Sequence, residues 1–283
     1  AERVLKEGQI DLIRWVRPLI CDPYLVNKLK SGREKDIVHC AYDNQECMGR
    51  VARNKPVGCT QNPRVGRESG PLGEAHHPCE VVKHITVVGA GPAGLMAALT
   101  AAQRGHQVQV FDRRKEPGGQ LCLARSGSGR SGMNTIIENL IRRLQLFSVP
   151  IHLGVDVSKS DLLTDAPDVL ILATGSCPED QPFPGEYGPP HVLNVWQVLA
   201  GEFDVGDRVL LIDEDGHYRA AATADATRLP GTPCSSAIVP ASPALDAESW
   251  RFSPPAGPAS AVLPSSTLAL PSPSLDADFG QPE

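Results

Sequence analysis

The sequence predicts an α/β fold with a parallel sheet, and three observations predict it. Short runs rich in Val, Ile and Leu, at residues 84 to 88, 169 to 173 and 209 to 212, read as buried strands. A glycine turn joins the first of them directly to an alanine-rich helical stretch. That helix leads at once into a further strand at residues 107 to 111, the strand, helix, strand order of a parallel crossover unit.

The chain has 283 residues, 41% hydrophobic and 21% charged, a globular composition with room for one large domain or two ordinary ones. A formal charge of −6 without a basic cluster argues against nucleic acid or an anionic membrane as partner. No apolar run approaches the roughly 18 to 20 residues that span a bilayer, and AERVLKEGQI lacks the pattern of a secretion signal, so a cytoplasmic protein is expected. Eight irregularly spaced cysteines then point to free thiols or metal ligation more than to disulfides.

In chain order, residues 10 to 16 read as a strand, and Arg17-Pro18 leads to a helix at 24 to 30 closed by Ser31-Gly32. A strand met so early implies that the amino-terminal part of a larger α/β domain precedes it. From residue 36 to about 80 the text is irregular, and five cysteines fall between Cys21 and Cys79. Beyond about Thr227 the sequence turns to Pro, Ser and Ala with neither helical nor strand period, which predicts a disordered tail. Its abrupt onset, where a helix should continue, also fits a reading-frame change or aberrant end.

HITVVGAGPAGLMAALTAAQRGHQVQVFDRR places Gly89, Gly91 and Gly94 between an apolar strand and a helix. Gly89 permits the tight turn, Gly91 lets backbone approach a pyrophosphate, and Gly94 lets helix pack closely on strand. The helix N-terminus adds oriented N–H groups and partial positive charge. Asp112 ends the second strand at about the ~20-residue separation that puts an acid on the adenosine ribose hydroxyls, where it would repel a 2′-phosphate. A ligand-free glycine turn is the alternative reading, but strand, helix and terminal acid together favour a nucleotide.

VVGAGPAGLMAALTAAQRGHQVQVFDRRKEPGGQL resembles the FAD loop of the 2,4-dienoyl-CoA reductase and trimethylamine dehydrogenase group, within the NADH:flavin oxidoreductases. Gly118-Gly119-Gln120 is similar to that family's second flavin-contacting turn. LILATGS, with Ala173, Thr174 and Gly175, resembles the motif by which such flavoproteins return from the FAD domain toward the pyridine-nucleotide domain. Similarity extends over about residues 5 to 225.

The resemblance implies a [4Fe-4S] cluster held by four cysteines, of which Cys40, Cys47 and Cys59 match. Soft thiolates suit such clusters. Asp43 stands where the family places its second cysteine; a carboxylate is a harder, weaker ligand, so a labile cluster, a [3Fe-4S] form or a lost site are all reachable. Three leftover thiols are the alternative, and Cys21, Cys79, Cys122, Cys177 and Cys234 have no motif context and read as ordinary thiols.

Residues 10 to 40 are similar to the end of the family's old-yellow-enzyme type (β/α)8 barrel, and Arg17 matches the arginine that contacts the FMN phosphate there. The resemblance puts the rest of the FMN pocket and the substrate-protonating acid in the preceding barrel, so no catalytic residue is assigned here. At VLLIDEDGHYRAAA, where many relatives start a second dinucleotide fold, the glycine loop is missing, and Asp213, Glu214 and Asp215 would repel a pyrophosphate. The turn is similar to the branch associated with mycofactocin redox systems.

The expected organisation is therefore a barrel remnant at 1–38, an iron-sulfur segment at 39–80, an incomplete FAD/NAD(P)-binding domain of Rossmann-like parallel sheet at 81–226 and a tail at 227–283. The resemblance implies electron transfer from NAD(P)H through FAD and the cluster toward FMN and an unsaturated or amine small-molecule substrate. A catalytically silent FAD- or adenine-nucleotide-binding module is the alternative. A third reading, an electron-transfer subunit similar to the glutamate synthase small subunit, requires the missing second glycine loop.

Overall fold

Runs of β-branched and leucine side chains without polar alternation form a parallel sheet with helical cover, although Leu170 and Leu172 stay exposed. The computed structural model describes residues 2–70, 77–178, 192–203, 205, 208–213, 218–226, 237–240 and 260–264. These fall into two compact units, residues 1–176 and 177–283.

The first unit begins with short helices α1 (Glu2–Lys6), α2 (Arg17–Cys21), α3 (Leu25–Lys30) and α4 (Met48–Val51). Buried Asp22 organises this end: it accepts hydrogen bonds from Lys28 Nζ at 2.6 Å and from the backbone N–H groups of Val38 and Tyr24 at 2.9 and 3.1 Å. The expected helix at 24 to 30 is present as α3. The strand expected at residues 10 to 16 is not formed. Those residues have no strand beside them among the described ones to share a ladder, and Ile10, Leu12 and Val16 stay exposed.

The four-stranded sheet comprises β1 (His84–Val88), β2 (Gln107–Asp112), β3 (Ile151–Leu153) and β4 (Val169–Leu172), ordered β3-β2-β1-β4 and parallel throughout. Helix α5 (Pro92–Gln103) starts with proline, whose fixed φ suits the first turn, and its small Ala98, Ala101 and Ala102 let it lie close to the sheet. Helix α7 (Asn134–Leu146) buries Ile136, Ile137, Leu140 and Leu144, the spacing of one apolar face. Val87, Leu95, Leu99, Val110 and Leu144 have no exposed surface, each contributing about 1.5–3 kcal/mol by burial. Short α6 (Leu121–Ala124) and α8 (Lys159–Asp165) complete the unit. No helix among the described residues is long and apolar enough to cross a membrane.

In the second unit, α9 (Val195–Ala200) is fixed by a reciprocal cap between Asn194 and Gln197. Strand β5 (Arg208–Asp213) precedes α10 (Tyr218–Ala226) and is flanked by β6 (Ala237–Pro240) and β7 (Ser260–Pro264), all parallel. Leu193, Val209, Leu211 and Ala220 form its core. The segment expected to be wholly aperiodic thus contributes two strands: AIVP and SAVLP are each just long enough to pair with β5. Glu214 and Asp215 of the acidic turn, and the remainder of the Pro/Ser/Ala segment, lie outside the described residues.

Candidate functional site

Because β1, β2 and β4 run parallel, their carboxyl ends open on one edge, and strand order changes direction there between β1 and β4. The chain leaves β1 at Gly89, with φ of 113°, its N–H bonded to the Phe111 carbonyl at 2.7 Å. A Cβ on Gly89 would fall inside the Ala173 carbonyl, and one on Gly94 inside the carbonyl of Gly89. The fold itself therefore demands glycine at both positions. Gly91 is different: its φ of −75° and ψ of 175° suit any residue, and a Cβ there meets nothing closer than the Gly119 Cα at 4.0 Å.

Two further turns close on this loop. Gly118 donates its N–H to the Ala90 carbonyl at 2.8 Å, and Arg114 Nη1 donates to the Gly119 carbonyl at 3.0 Å. Gln120 Nε2 donates to Ser176 O and Oγ at 3.1 and 2.9 Å, which ties the second turn to the loop after β4 that carries exposed Thr174 and Gly175. Asp112 accepts the Ala90 N–H on Oδ2 at 2.7 Å and the Arg114 N–H on Oδ1 at 2.8 Å. It therefore holds the glycine loop in shape, while each oxygen keeps lone-pair capacity for an outside donor. This holding role was not visible in sequence.

The cysteine segment builds a second centre. Cys40, Cys47 and Cys59 line one small cavity with Asp43 and Arg17, and Cys21, at the end of α2, lines it too. The Cys21 thiol donates a hydrogen bond to Cys59; with help from the Gln61 and Asn62 backbone N–H groups, this lowers the Cys59 thiol to about 6 against the opposing effect of burial. Cys21 is pushed up by the same contact and by burial, and Cys40 is raised chiefly by burial. The carboxylate of Asp43 accepts the Thr60 hydroxyl at 2.6 Å and the Gln45 N–H at 3.4 Å. Arg17 donates to Asn44 Oδ1 at 2.7 Å and lies 5.4 Å over the Tyr42 ring, so the structure turns it toward the cysteine loop.

Among the described residues, no three His, Cys, Asp or Glu side chains are grouped to hold a metal ion. A single zinc-like ion draws thiolates to about 2.3 Å from one point. A four-iron cluster instead takes one thiolate on each of several irons. The four cysteines that line the cavity are soft donors of the type that such clusters take.

Residues 83–203 match the family model described as pyridine nucleotide-disulphide oxidoreductase. The chain is 37% identical over 237 residues to an NADH oxidase of Thermoanaerobacter brockii, covering 80% of this chain and 36% of that protein. It is 31% identical to a probable N-methylproline demethylase of Rhizobium meliloti (strain 1021), covering 80% and 33% respectively. The solved 2-naphthoyl-CoA reductase in complex with 2-naphthoyl-CoA superposes with a TM-score of 0.74 at 33% identity, over 83% of this chain and 35% of that one. The chain is related to part of these oxidoreductases, over about four-fifths of its own length. It spans about a third of the length of the relatives it matches. Within that third, the glycine residues that sequence singled out converge in space, and Cys21, read from sequence as an ordinary thiol, lines the cavity of Cys40, Cys47 and Cys59 although its neighbours there are distant in the chain.

Proposed function

We propose that this chain binds FAD across the loops at 89–94, 118–120 and 173–176, as the flavin-carrying region of an NAD(P)H-dependent oxidoreductase. The observation that carries the reading is the contrast at the glycine loop: packing explains Gly89 and Gly94 but leaves Gly91 open, as an approaching pyrophosphate requires. The N-terminal N–H groups of α5 would face the phosphates, and Asp112, held by Ala90 and Arg114, would meet the ribose hydroxyls. Gly119, Gln120, Thr174 and Gly175 would border the flavin. When bound there, FAD would supply two-electron exchange with reduced pyridine nucleotide and one-electron exchange with a further carrier. Cys40, Cys47 and Cys59 would hold an iron-sulfur cluster at the cysteine cavity, and Arg17 would contact FMN in a longer enzyme, the two groups supplying onward electron transfer. The name of one relative, a naphthoyl-CoA reductase, supports an unsaturated acyl-type acceptor for electrons from NAD(P)H, whereas that of another, a demethylase, supports an amine that would give electrons in the opposite direction.

The test is an absorption spectrum of anaerobically purified protein, with the flavin identified after denaturation and iron measured alongside. Stoichiometric FAD that NADH bleaches without oxygen supports the reading. A colourless protein overturns it. The acids following β5 favour a second reading, a silent module, which predicts bound nucleotide that NADH leaves oxidised.

A further inference from the structure

Nothing in the spacing of the cysteine segment explains how a site with aspartate at its second position could hold iron. The cavity itself offers a fourth sulfur. Cys21 is 4% exposed, lines the same cavity as Cys40, Cys47 and Cys59, and its thiol touches that of Cys59. Its position is fixed by the next residue, because Asp22 is pinned by Lys28 and by the Tyr24 and Val38 backbone. Asp43 also borders the cavity, where its oxygens shape the loop through the Thr60 hydroxyl and the Gln45 N–H, and as a carboxylate it is a harder and weaker donor to iron than a thiolate.

We propose that Cys21, and not Asp43, supplies the fourth ligand, so that an iron-sulfur cluster in this cavity is held by Cys21, Cys40, Cys47 and Cys59. The proposal rests on the iron-sulfur part of the proposed function. Sulfur in place of carboxylate gives each iron a soft donor, and each thiol releases its proton to solvent on binding. Asp43 is then a loop-shaping residue. The irregular order follows from this assignment: the ligand lost at position 43 is replaced from a helix earlier in the chain, 19 residues before Cys40 in number but beside Cys59 in space.

The experiment is anaerobic reconstitution of the full chain with ferrous iron and sulfide, in the wild type and in Cys21→Ala, Cys21→Ser and Asp43→Ala. Iron and acid-labile sulfide are counted per FAD, and electron paramagnetic resonance spectra are recorded before and after dithionite. The expected result is that Asp43→Ala keeps the wild-type iron content and signal. The Cys21 variants should lose the cluster or keep a form with about one iron fewer, paramagnetic before reduction. Wild-type signals in the Cys21 variants, with loss in Asp43→Ala, would overturn the assignment. If the Cys21 variants do not fold, the Mössbauer spectrum of the wild type decides: uniformly sulfur-ligated irons support Cys21, and one distinct oxygen-ligated iron overturns it. A wild type that binds FAD but takes up no iron ends both the assignment and the cluster reading, while leaving the FAD reading intact.

Discussion

Asn139 on α7 donates a 3.0 Å hydrogen bond to Gln61, two residues beyond Cys59, and both side chains are buried. Gln61 in turn donates to the carbonyl of His39, the residue before Cys40. Arg142 adds bonds of 3.1 Å to Asn139 Oδ1 and to the Ile37 carbonyl. Both flanks of the cysteine loop are thus tied to a helix of the nucleotide fold. Asn139→Ala removes the donor to a buried acceptor, so we expect a loss of about 1–3 kcal/mol in a denaturant titration, and faster iron loss to a chelator.

Replacing the glycines should separate folding from binding. Gly91→Val is expected to fold, because its backbone angles suit any residue and a Cβ there meets nothing closer than 4.0 Å, yet to carry no FAD. Gly94→Ala should destabilise the chain with or without FAD, since its Cβ collides with backbone. Thermal melts with flavin counts distinguish the two. A Gly91→Val protein with full FAD content would show that the pyrophosphate lies elsewhere.

Asp112→Asn leaves one acceptor oxygen for two backbone N–H groups. One of them loses its partner. The expected outcome is a stability loss of about 1–3 kcal/mol, together with weaker FAD retention on dialysis.

Gln120 is exposed, and its two bonds to Ser176 join the second turn to the loop after β4. Gln120→Ala should therefore change stability by no more than about 0.5 kcal/mol while weakening FAD affinity several-fold, read by fluorescence titration of the flavin-free protein. Unchanged affinity would mean that the two loops need no tether.

The parts legible in sequence are those set by local constraint. Gly94 declares itself because the turn from strand to helix leaves no room for a Cβ beside the Gly89 carbonyl. Gly89 does so because the turn holds its φ at 113°, although the carbonyl that its Cβ would strike, that of Ala173, comes from much later in the chain. Cys21 could not be read this way, since only tertiary packing brings it to Cys59, 38 positions on. The opposite error arose at residues 10 to 16, whose apolar character suits a strand, although a strand also needs a neighbour. β6 and β7 were missed for the converse reason: four or five residues are too few to show a period, but enough to pair with a strand already in place.

Helix α7 touches both sites. Ile137 fills the space that a Cβ on Gly118 would need, and Asn139, about 200° further round the helix, holds Gln61. A packed helix is about 10–12 Å across with its side chains. Under the proposed function α7 is a shared brace, and a change on it would disturb how the flavin site and the cysteine cavity are both held without touching a ligand of either.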